Sequence, residues 1–192
     1  MTRVATTTQG PAASMEIIQV WKQVTPELKA ELLAMWDRNG ALRDPVQAAA
    51  RAEQAVCVGR DEQGALCAVG TAVVRVLPRL RQPMYYYRQF FSQQLRGNRQ
   101  TVPFFNEARR ILQGHNAALP APESLGLLME LENPLLSTRY NAADGVAGTT
   151  FIGYSPRGLQ LRVAYFEGAT LLPPVALPKK AATPVRRRAP QH

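Results

Sequence analysis

The stretch from Ala55 to Leu77, AVCVGRDEQGALCAVGTAVVRVL, decides the fold of this chain. It contains two runs rich in β-branched residues, separated by the sequence Asp61-Glu62-Gln63-Gly64. Such runs favour strands, and the glycine of the short loop supplies the positive φ that a hairpin turn needs. We therefore predict an antiparallel hairpin, which makes this part of the chain the start of a β-sheet.

The residues that follow extend this sheet. After a turn over Pro78 to Pro83, the sequence MYYYRQFF (Met84 to Phe91) predicts another strand, so that three antiparallel strands form a meander. Its three tyrosines, Tyr85, Tyr86 and Tyr87, are expected to alternate between core and surface as ordinary strand residues, and the alternative is that one or two of them line a ligand channel. A helix is predicted from Thr101 to about Gln113, because its apolar residues recur at helical spacing.

The residues that precede the hairpin predict one strand and two helices. Glu16 to Gln23 is β-branched and aromatic enough for a first strand. Thr25-Pro26 and Asp44-Pro45 each combine an N-cap residue with a proline at the first helical position. The apolar side of the second helix is predicted to consist of Val46, Ala49 and Ala50.

The C-terminal third adds a strand, a short helix and a closing hairpin. The strand is predicted over Leu125 to Asn133 and the helix around Leu135 to Asn141. Phe151 to Tyr154 and Leu159 to Phe166 are expected to form the hairpin. The whole order predicts a mixed α/β (α+β) domain with a central, mostly antiparallel sheet of about six or seven strands and about four flanking helices.

Length and charge indicate one folded domain with charged extensions. The chain has 192 residues, 46% of them hydrophobic, which suits a single core of ordinary size. It carries 23 Lys and Arg against 14 Asp and Glu, a formal net charge of +9. Residues 173–192 hold five of these cations and no acid, and residues 1–15 hold only Arg3, so residues 16–172 carry +3. We predict a disordered leader (1–15), one domain (16–172) and a flexible basic tail (173–192).

Composition excludes several classes of protein. The two cysteines, Cys57 and Cys67, are too few for a disulfide scaffold and lie in no C-x-x-C spacing, which argues against a structural zinc site and favours the reducing cytoplasm. The sequence contains no apolar run of about 18 residues, so no membrane partner is expected. No metal cofactor is expected either. A homodimer is compatible with the composition.

Positive charge is concentrated between the meander and the helix that follows it. Residues 75–110 contain eight arginines and one acid, Glu107. Because arginine suits phosphate groups, we expect these residues to surround a ligand with several phosphates. The alternative is a solvated charged face. Nucleic acid is expected to bind only through the tail, by sequence-independent attraction.

Two motifs stand at positions that the order of elements makes informative. A polar, glycine-containing stretch, Gln94-Leu95-Arg96-Gly97-Asn98-Arg99, joins the third meander strand to the helix beginning at Thr101. Farther on, Asn133 is followed seven residues later by Tyr140 and then by Gly145-Val146. Together with the order of strands and helices over about residues 16–170, these motifs resemble the GNAT superfamily of acyl-CoA-dependent N-acyltransferases.

The first motif implies a binding site for coenzyme A. In that family the loop has the pattern [Gln/Arg]-x-x-Gly-x-[Gly/Ala], whose backbone N–H groups and helix N-terminus hold the pyrophosphate. Gln94 and Gly97 fit, whereas Arg99 replaces a small residue, so the motif is degenerate. A second alignment begins at Arg96. The resemblance implies that acetyl-CoA or another acyl-CoA is the co-substrate and that it binds through Gln94, Arg96, Gly97, Asn98, Arg99 and Thr101.

The second motif implies two further roles. By resemblance, Asn133 contacts the pantetheine arm, and Tyr140 acts as general acid toward the departing thiolate. The alternative for Tyr140 is a half-buried tyrosine that packs on the sheet. For Asn133 it is a helix cap before Pro134, a role compatible with the first.

Two carboxylates share one face of the predicted strand Leu125 to Asn133. Side chains alternate along a strand, which places Glu130 and Glu132 together. Acyl transfer needs a neutral amine, so we expect one of them to act as a base, directly or through water, or to bind the ammonium charge. The alternative is a strand face that is either exposed to solvent or ion-paired, with Arg162 of the closing hairpin as the candidate partner.

These observations predict an N-acyltransferase that uses acyl-CoA, with direct attack of an amine of unknown size on the thioester. The competing hypothesis is a non-catalytic binding protein of the same fold whose basic tail contacts nucleic acid or an acidic partner. A lower alternative is an acyltransferase of the autoinducer synthase type, which shares the fold. The acidic and tryptophan-containing N-terminal motifs expected of such a synthase are not visible in this sequence.

Overall fold

Within residues 15–95 and 100–176, the part of the chain that the computed structural model describes, eight strands form one sheet. The strands are β1 (Glu16–Gln19), β2 (Ala55–Arg60), β3 (Leu66–Leu77), β4 (Gln82–Phe91), β5 (Gly126–Leu131), β6 (Ala143–Asp144), β7 (Thr149–Tyr154) and β8 (Gln160–Tyr165). The α-helices are α1 (Pro26–Arg38), α2 (Pro45–Ala52), α3 (Thr101–Ala118) and α4 (Pro134–Arg139). A 3₁₀-helix covers Gln93–Leu95.

The sheet is antiparallel apart from one parallel pair near its centre. The strand order is β1-β2-β3-β4-β5-β8-β7-β6, and β4 and β5 are the parallel neighbours. A parallel pair needs a crossover connection, which α3 provides between these two strands. The predicted mixed α/β class and the β2–β3–β4 meander are therefore confirmed, with Gly64 at φ 78° in the first hairpin turn.

Helices cover the two faces of the sheet, which we name the α1 face and the α3 face. The α1-face core joins α1 and α2 to β2 and β3 through Leu32, Met35, Trp36, Ala48, Ala52, Ala55, Val58 and Val69. The α3-face core joins α3 to β4 and β5 through Tyr85, Tyr87, Phe104, Phe105, Ala108, Leu112 and Leu127. Each large apolar side chain buried in this way contributes about 1.5–3 kcal/mol, so these two layers fix the helices on the sheet.

The predicted start signals of α1 and α2 are confirmed. The side chains of Thr25 and Asp44 accept hydrogen bonds from backbone N–H groups of the first turns, which have no partner inside the helix. The predicted buried side of α2 is wrong. Ala48 and Ala52, four residues apart, face the sheet, whereas Val46 is 77% exposed.

Several predicted boundaries shift. Within the described residues, the sheet has eight strands instead of the predicted six or seven. The strand that was not predicted is the short edge strand β6, whose two residues carry no clear β pattern. The predicted end of α3 near Gln113 is early, because the helix continues through Gly114 to Ala118. None of the described helices is long and apolar enough to cross a membrane.

The last described residues return to the start of β4. Val175 donates its N–H to the carbonyl of Arg81 at 2.9 Å, and the Arg81 Nε donates to the carbonyl of Val175 at 3.1 Å. Gln82 makes a similar pair of hydrogen bonds with Leu172. The first residues of the predicted tail thus contact the domain. Residues 177–192 of that tail, and residues 1–14 of the predicted leader, lie outside the described residues.

Candidate active site

The parallel pair of β4 and β5 leaves a gap in the middle of the sheet. The last paired residues are Tyr87 and Met129, although β4 continues to Phe91 and β5 to Leu131. A cleft reaches this gap from each face of the sheet, and Gln89, Met129 and Leu131 line both clefts. The gap therefore connects the two faces.

One backbone donor is directed into the gap. The N–H of Tyr85 points from β4 toward β5, because it donates to Ser124 Oγ at 3.0 Å. Backbone N–H groups alternate in direction along a strand, so that of Gln89 points the same way. At Gln89, however, β5 no longer pairs with β4.

The cleft on the α3 face lies between the first turn of α3 and the strands β7 and β8. Beyond the three shared residues it is lined by Thr101, Val102, Phe105, Tyr140, Ala147, Thr149 and Arg162. The guanidinium carbon of Arg162 lies 5.2 Å from the centroid of the Tyr140 ring, a cation–π contact. A mostly apolar cleft with one phenol and one cation at its wall results.

Arg162 is buried without an acidic hydrogen-bond partner among the residues that the structure describes. It is 1% exposed and donates to Thr149 Oγ1 at 3.0 Å and to backbone carbonyls before β6 and in β7. The expected ion pair with Glu130 or Glu132 is wrong. Arg162 is the cross-strand partner of Met129, and cross-strand partners share a face, so its side chain lies on the α3 face.

Tyr140 lies immediately after α4 rather than on it, and its side chain is half-buried. Burial and the Asp144 carboxylate raise the pKa of Tyr140, and Arg162 offsets part of this rise. The phenol therefore keeps its proton at neutral pH. Its place in the α3-face cleft fits both packing on the sheet and proton donation.

The cleft on the α1 face is larger, with a volume of about 260 Å³, and lies between α1, α2 and the strands β3, β4 and β5. Its apolar wall includes Trp36, Leu42 and Val69. Its charged lining consists of Arg51, Arg88, Glu130 and Glu132. A ligand there meets charges of both signs.

Glu130 and Glu132 share the α1 face, as predicted, and both bind Arg157. The Nη2 atom of Arg157 lies 2.9 Å from Glu132 Oε1, and Glu130 also accepts a hydrogen bond from the Tyr86 hydroxyl at 2.7 Å. Burial on its own raises the pKa of Glu130, but hydrogen bonds from Arg157, Ser155 and Tyr86 lower it to about 2. Glu130 is therefore ionised and a weak base, whereas the side chain of Glu132 is 64% exposed and open to water.

Two of the predicted coenzyme A loop residues, Gln94 and Thr101, lie within the described part of the chain. Gln94 is exposed in the 3₁₀-helix after β4, and Thr101 begins α3 and lines the cleft. Gln100, at the N-cap position, makes no side-chain cap, which leaves the N–H groups of the first turn to other acceptors. The other predicted loop residues, Arg96, Gly97, Asn98 and Arg99, lie outside the described residues.

Asn133 occupies the turn between β5 and α4. It is exposed and lines the α1-face cleft. Its backbone carbonyl accepts the N–H of Ser137 at 3.2 Å, so Asn133 stands at the start of α4. The two predicted roles remain compatible.

Among the described arginines of residues 75–110, at least two do not lie on the face of the sheet that α3 covers. Arg75 and Arg88 lie on the α1 face, where their guanidinium carbons are 5.1 and 4.3 Å from the centroid of the Tyr86 ring. Arg110 pairs with Glu107 on α3. The expectation is wrong for Arg75 and Arg88 because alternation along β3 and β4 sends these side chains to the other face from α3.

Sequence reasoning missed the roles of Arg51 and Arg162. Arg162 had a usable signal, because alternation along β8 puts it on the same face as the buried Ala164 and Phe166. A cation on a buried strand face indicates a site or a buried network. Arg51 had no comparable signal, since its position depends on how α2 packs over the sheet.

Comparison with solved structures gives matches over most of the chain. An acetyltransferase of the GNAT family from Streptococcus pneumoniae matches over 79% of this chain and 99% of that chain, with 14% identity and a TM-score of 0.53. A protein provisionally assigned as a phosphinothricin N-acetyltransferase matches over 79% and 98%, with 12% identity and a TM-score of 0.53. The spermidine N-acetyltransferase from Vibrio cholerae, in complex with CoA and spermine, matches over 79% and 94%, with 10% identity and a TM-score of 0.47. No family model and no curated protein matches the sequence, so what these comparisons show is the fold.

Proposed function

We propose that this chain, which has the fold of the GNAT superfamily, transfers an acyl group from acetyl-CoA or another acyl-CoA to an amine. The observation that carries the proposal is the gap between β4 and β5, where the clefts of the two faces meet. Two substrates that enter from opposite faces can bring their reacting atoms together in this gap. Such positioning supplies much of the rate of a direct transfer.

The α3-face cleft suits the acyl-CoA. Its apolar inner part fits the pantetheine arm, and the first turn of α3 at Thr101 fits the pyrophosphate, because helix N-termini favour anions. The proposed pyrophosphate site also includes Gln94, Arg96, Gly97, Asn98 and Arg99. Asn133 lies just beyond β5 and lines the α1-face cleft, so it is proposed to contact the arm where the arm enters the gap.

The chemical step needs a polarised carbonyl and a proton for the leaving thiolate. The amine nitrogen attacks the thioester carbon, the C–S bond breaks, the sulfur gains a proton and the nitrogen loses one. We assign the Gln89 N–H to the carbonyl oxygen, where negative charge develops. We assign Tyr140 as the proton donor to the leaving thiolate, since its raised pKa keeps the hydroxyl protonated.

The two glutamates are proposed to have different roles, one structural and one in accepting the proton of the amine. With its pKa lowered to about 2, Glu130 is a poor proton acceptor and serves to hold Arg157 and the Tyr86 hydroxyl. Glu132 is the proposed base, acting through a water because its side chain is open to solvent. The acceptor is then an amine bound in the α1-face cleft.

The alternative is a non-catalytic binding protein of the same fold. The ion pairs of both glutamates with Arg157 favour it, since they leave neither carboxylate free of a counter-charge. On this hypothesis the basic tail attracts nucleic acid or an acidic partner.

Thermal unfolding of the full chain distinguishes the two hypotheses. The ligands are acetyl-CoA, longer acyl-CoAs and a short DNA duplex, and the comparison protein is the full chain with Arg186, Arg187 and Arg188 replaced by Gln. A ligand that binds only the native state raises its stability, so acyl-CoA should stabilise both proteins equally. The enzyme hypothesis fails if no CoA species shifts the unfolding temperature while DNA binds the wild type and not the triple variant.

A further inference from the structure

The α1-face cleft carries an excess of positive charge. Four guanidinium groups and two carboxylates lie in it or beside it: Arg51, Arg75, Arg88, Arg157, Glu130 and Glu132. Arg157 holds both carboxylates. One guanidinium balances only one of the two carboxylates, so four cations against two anions leave an excess of two positive charges near the place where an amine would bind.

Arg51 and Arg88 form no ion pair within the part of the chain that the structure describes. All 14 Asp and Glu side chains of the sequence lie within residues 15–95 and 100–176. Within those residues, no carboxylate forms an ion pair with Arg51 or Arg88. Two cations that line a cleft and form no ion pair there leave room for an anion from outside.

The surroundings of Arg51 also favour binding of an anion. Burial lowers the pKa of Arg51 and the neighbouring Arg88 lowers it further, with Glu132 acting in the opposite sense. A cation held among other cations is destabilised, and a bound anion removes that destabilisation. The cleft is thus electrostatically prepared for a negative group.

Arg88 is also held in place before any ligand binds. Its guanidinium lies over the Tyr86 ring, and Tyr86 is 8% exposed and fixed by its hydrogen bond to Glu130. Because the side chain is already ordered, a ligand loses less free energy in ordering it.

We propose that the α1-face cleft binds an amine that also carries a carboxylate or phosphate group, with that group on Arg51 and Arg88 and the amine toward Gln89. This inference rests on the proposed function and narrows its acceptor to compounds such as amino acids or phosphorylated amines. Polyamines are disfavoured, because their several positive charges would face the same arginines.

Calorimetric titration of the full chain with matched pairs of probes tests the inference. The pairs are L-methionine with L-methioninamide and O-phosphoethanolamine with ethanolamine, and spermidine is added as a polycation. In at least one pair, we expect the anionic member to bind at least about tenfold more tightly than its partner, since hydrogen bonds to charged groups carry this much affinity. The pair that shows the larger ratio distinguishes carboxylate from phosphate.

Variants locate the site. Arg51→Gln and Arg88→Gln should each lower the affinity for the anionic probe about tenfold or more and leave the affinity for the neutral probe unchanged. Arg51→Lys keeps the charge and should retain part of the affinity, which separates loss of charge from loss of folding. Arg79→Gln is the matched control, because Arg79 is exposed at the opposite end of β4 from the gap.

The inference is overturned if spermidine or the neutral probes bind as tightly as the anionic ones, if no anionic probe binds, or if neither Gln variant changes the ratio. Acetyl-CoA is titrated into the same proteins as a separate readout. Its failure to bind, with the anionic preference intact, would remove the proposed acyl transfer and leave the anion site.

Discussion

At the scale of single residues, Arg157 determines what the two carboxylates of the α1 face can do. Its guanidinium binds Glu130 and Glu132 together, and with Tyr86 and Ser155 it keeps Glu130 ionised. Glu130 thereby becomes an anchor for the neighbouring side chains. On the proposed function, proton transfer then falls to Glu132 on one face of the sheet and to Tyr140 on the other.

Tyr140→Phe tests the proton donor. Loss of a general acid slows a reaction by about a hundredfold or more, whereas the ring keeps its contact with Arg162. We expect acetyl-CoA turnover to fall by this amount while the Kd of acetyl-CoA changes less than about twofold. Steady-state kinetics and calorimetry measure the two quantities. Equal losses in both would make Tyr140 a packing residue.

Glu130→Gln tests the ion pair through pH. The folded state lowers the pKa of Glu130 from 4.5 to about 2, so its contribution to stability is complete above about pH 4.5 and is lost as the pH falls toward 2. In urea unfolding at pH 7, the free energy of unfolding of the wild type should exceed that of the variant by about 1–2 kcal/mol. This difference should shrink between pH 4.5 and 2. Asp37→Asn, on the exposed side of α1, is the control. A difference that does not depend on pH would rule out the ion pair as its cause.

Part of the candidate site follows from the sequence. Alternation along β5 is enough to place Glu130 and Glu132 on one face, and spacing is enough to single out Tyr140. Their partners do not follow, because Arg157 and Arg51 reach the cleft through the β7–β8 turn and the packing of α2, which are long-range contacts. The expected partner Arg162 lies on the other face because the β5–β8 register pairs it with Met129.

At the scale of elements, the start of β5 fixes the site. Gly126 has φ 155°, and a Cβ there would overlap the carbonyl oxygen of Ala164 and lie 2.8 Å from the Cα of Tyr165. Only glycine fits this approach without a shift of backbone. The position of β5 relative to β8, and therefore the gap beside β4, depends on it.

Gly126→Ala should destabilise the protein by more than about 2 kcal/mol, because both the backbone angle and the contact are unfavourable. Gly114→Ala is the matched control. It lies within α3 with open space around the position of the new Cβ, and it should raise stability by about 0.5–1 kcal/mol. Urea unfolding measures both, and a neutral Gly126→Ala would show that β5 can shift without cost.

Most elements follow from local signals in the sequence. The caps at Thr25 and Asp44 and the loop with Gly64 are decided by residues next to them, which is why α1, α2 and the first hairpin are predicted correctly. The edge strand β6 is not predicted, because two residues that pair only with β7 carry no period of their own. The buried side of α2 is missed because it depends on which sheet residues it meets.

At the scale of the whole molecule, the net charge of +9 separates into parts with different meanings. Six positive charges belong to residues 1–15 and 173–192. Within the domain, the arginines of the α1 face lie on the opposite side of the sheet from the cleft proposed for acyl-CoA. Their positive charge therefore does not belong to that cleft. On the proposed function, the two ligands would bind on opposite faces of the sheet and meet at the gap.

The most direct test of this account is calorimetric titration of acetyl-CoA into the wild type, Leu131→Trp and Val46→Trp. Leu131 lines both clefts, so an indole there should fill the gap, whereas Val46 is exposed on α2 outside both clefts. The account predicts saturable binding to the wild type and to Val46→Trp, and binding at least about tenfold weaker to a folded Leu131→Trp. No binding to the wild type, or equal affinity for all three proteins, would contradict it.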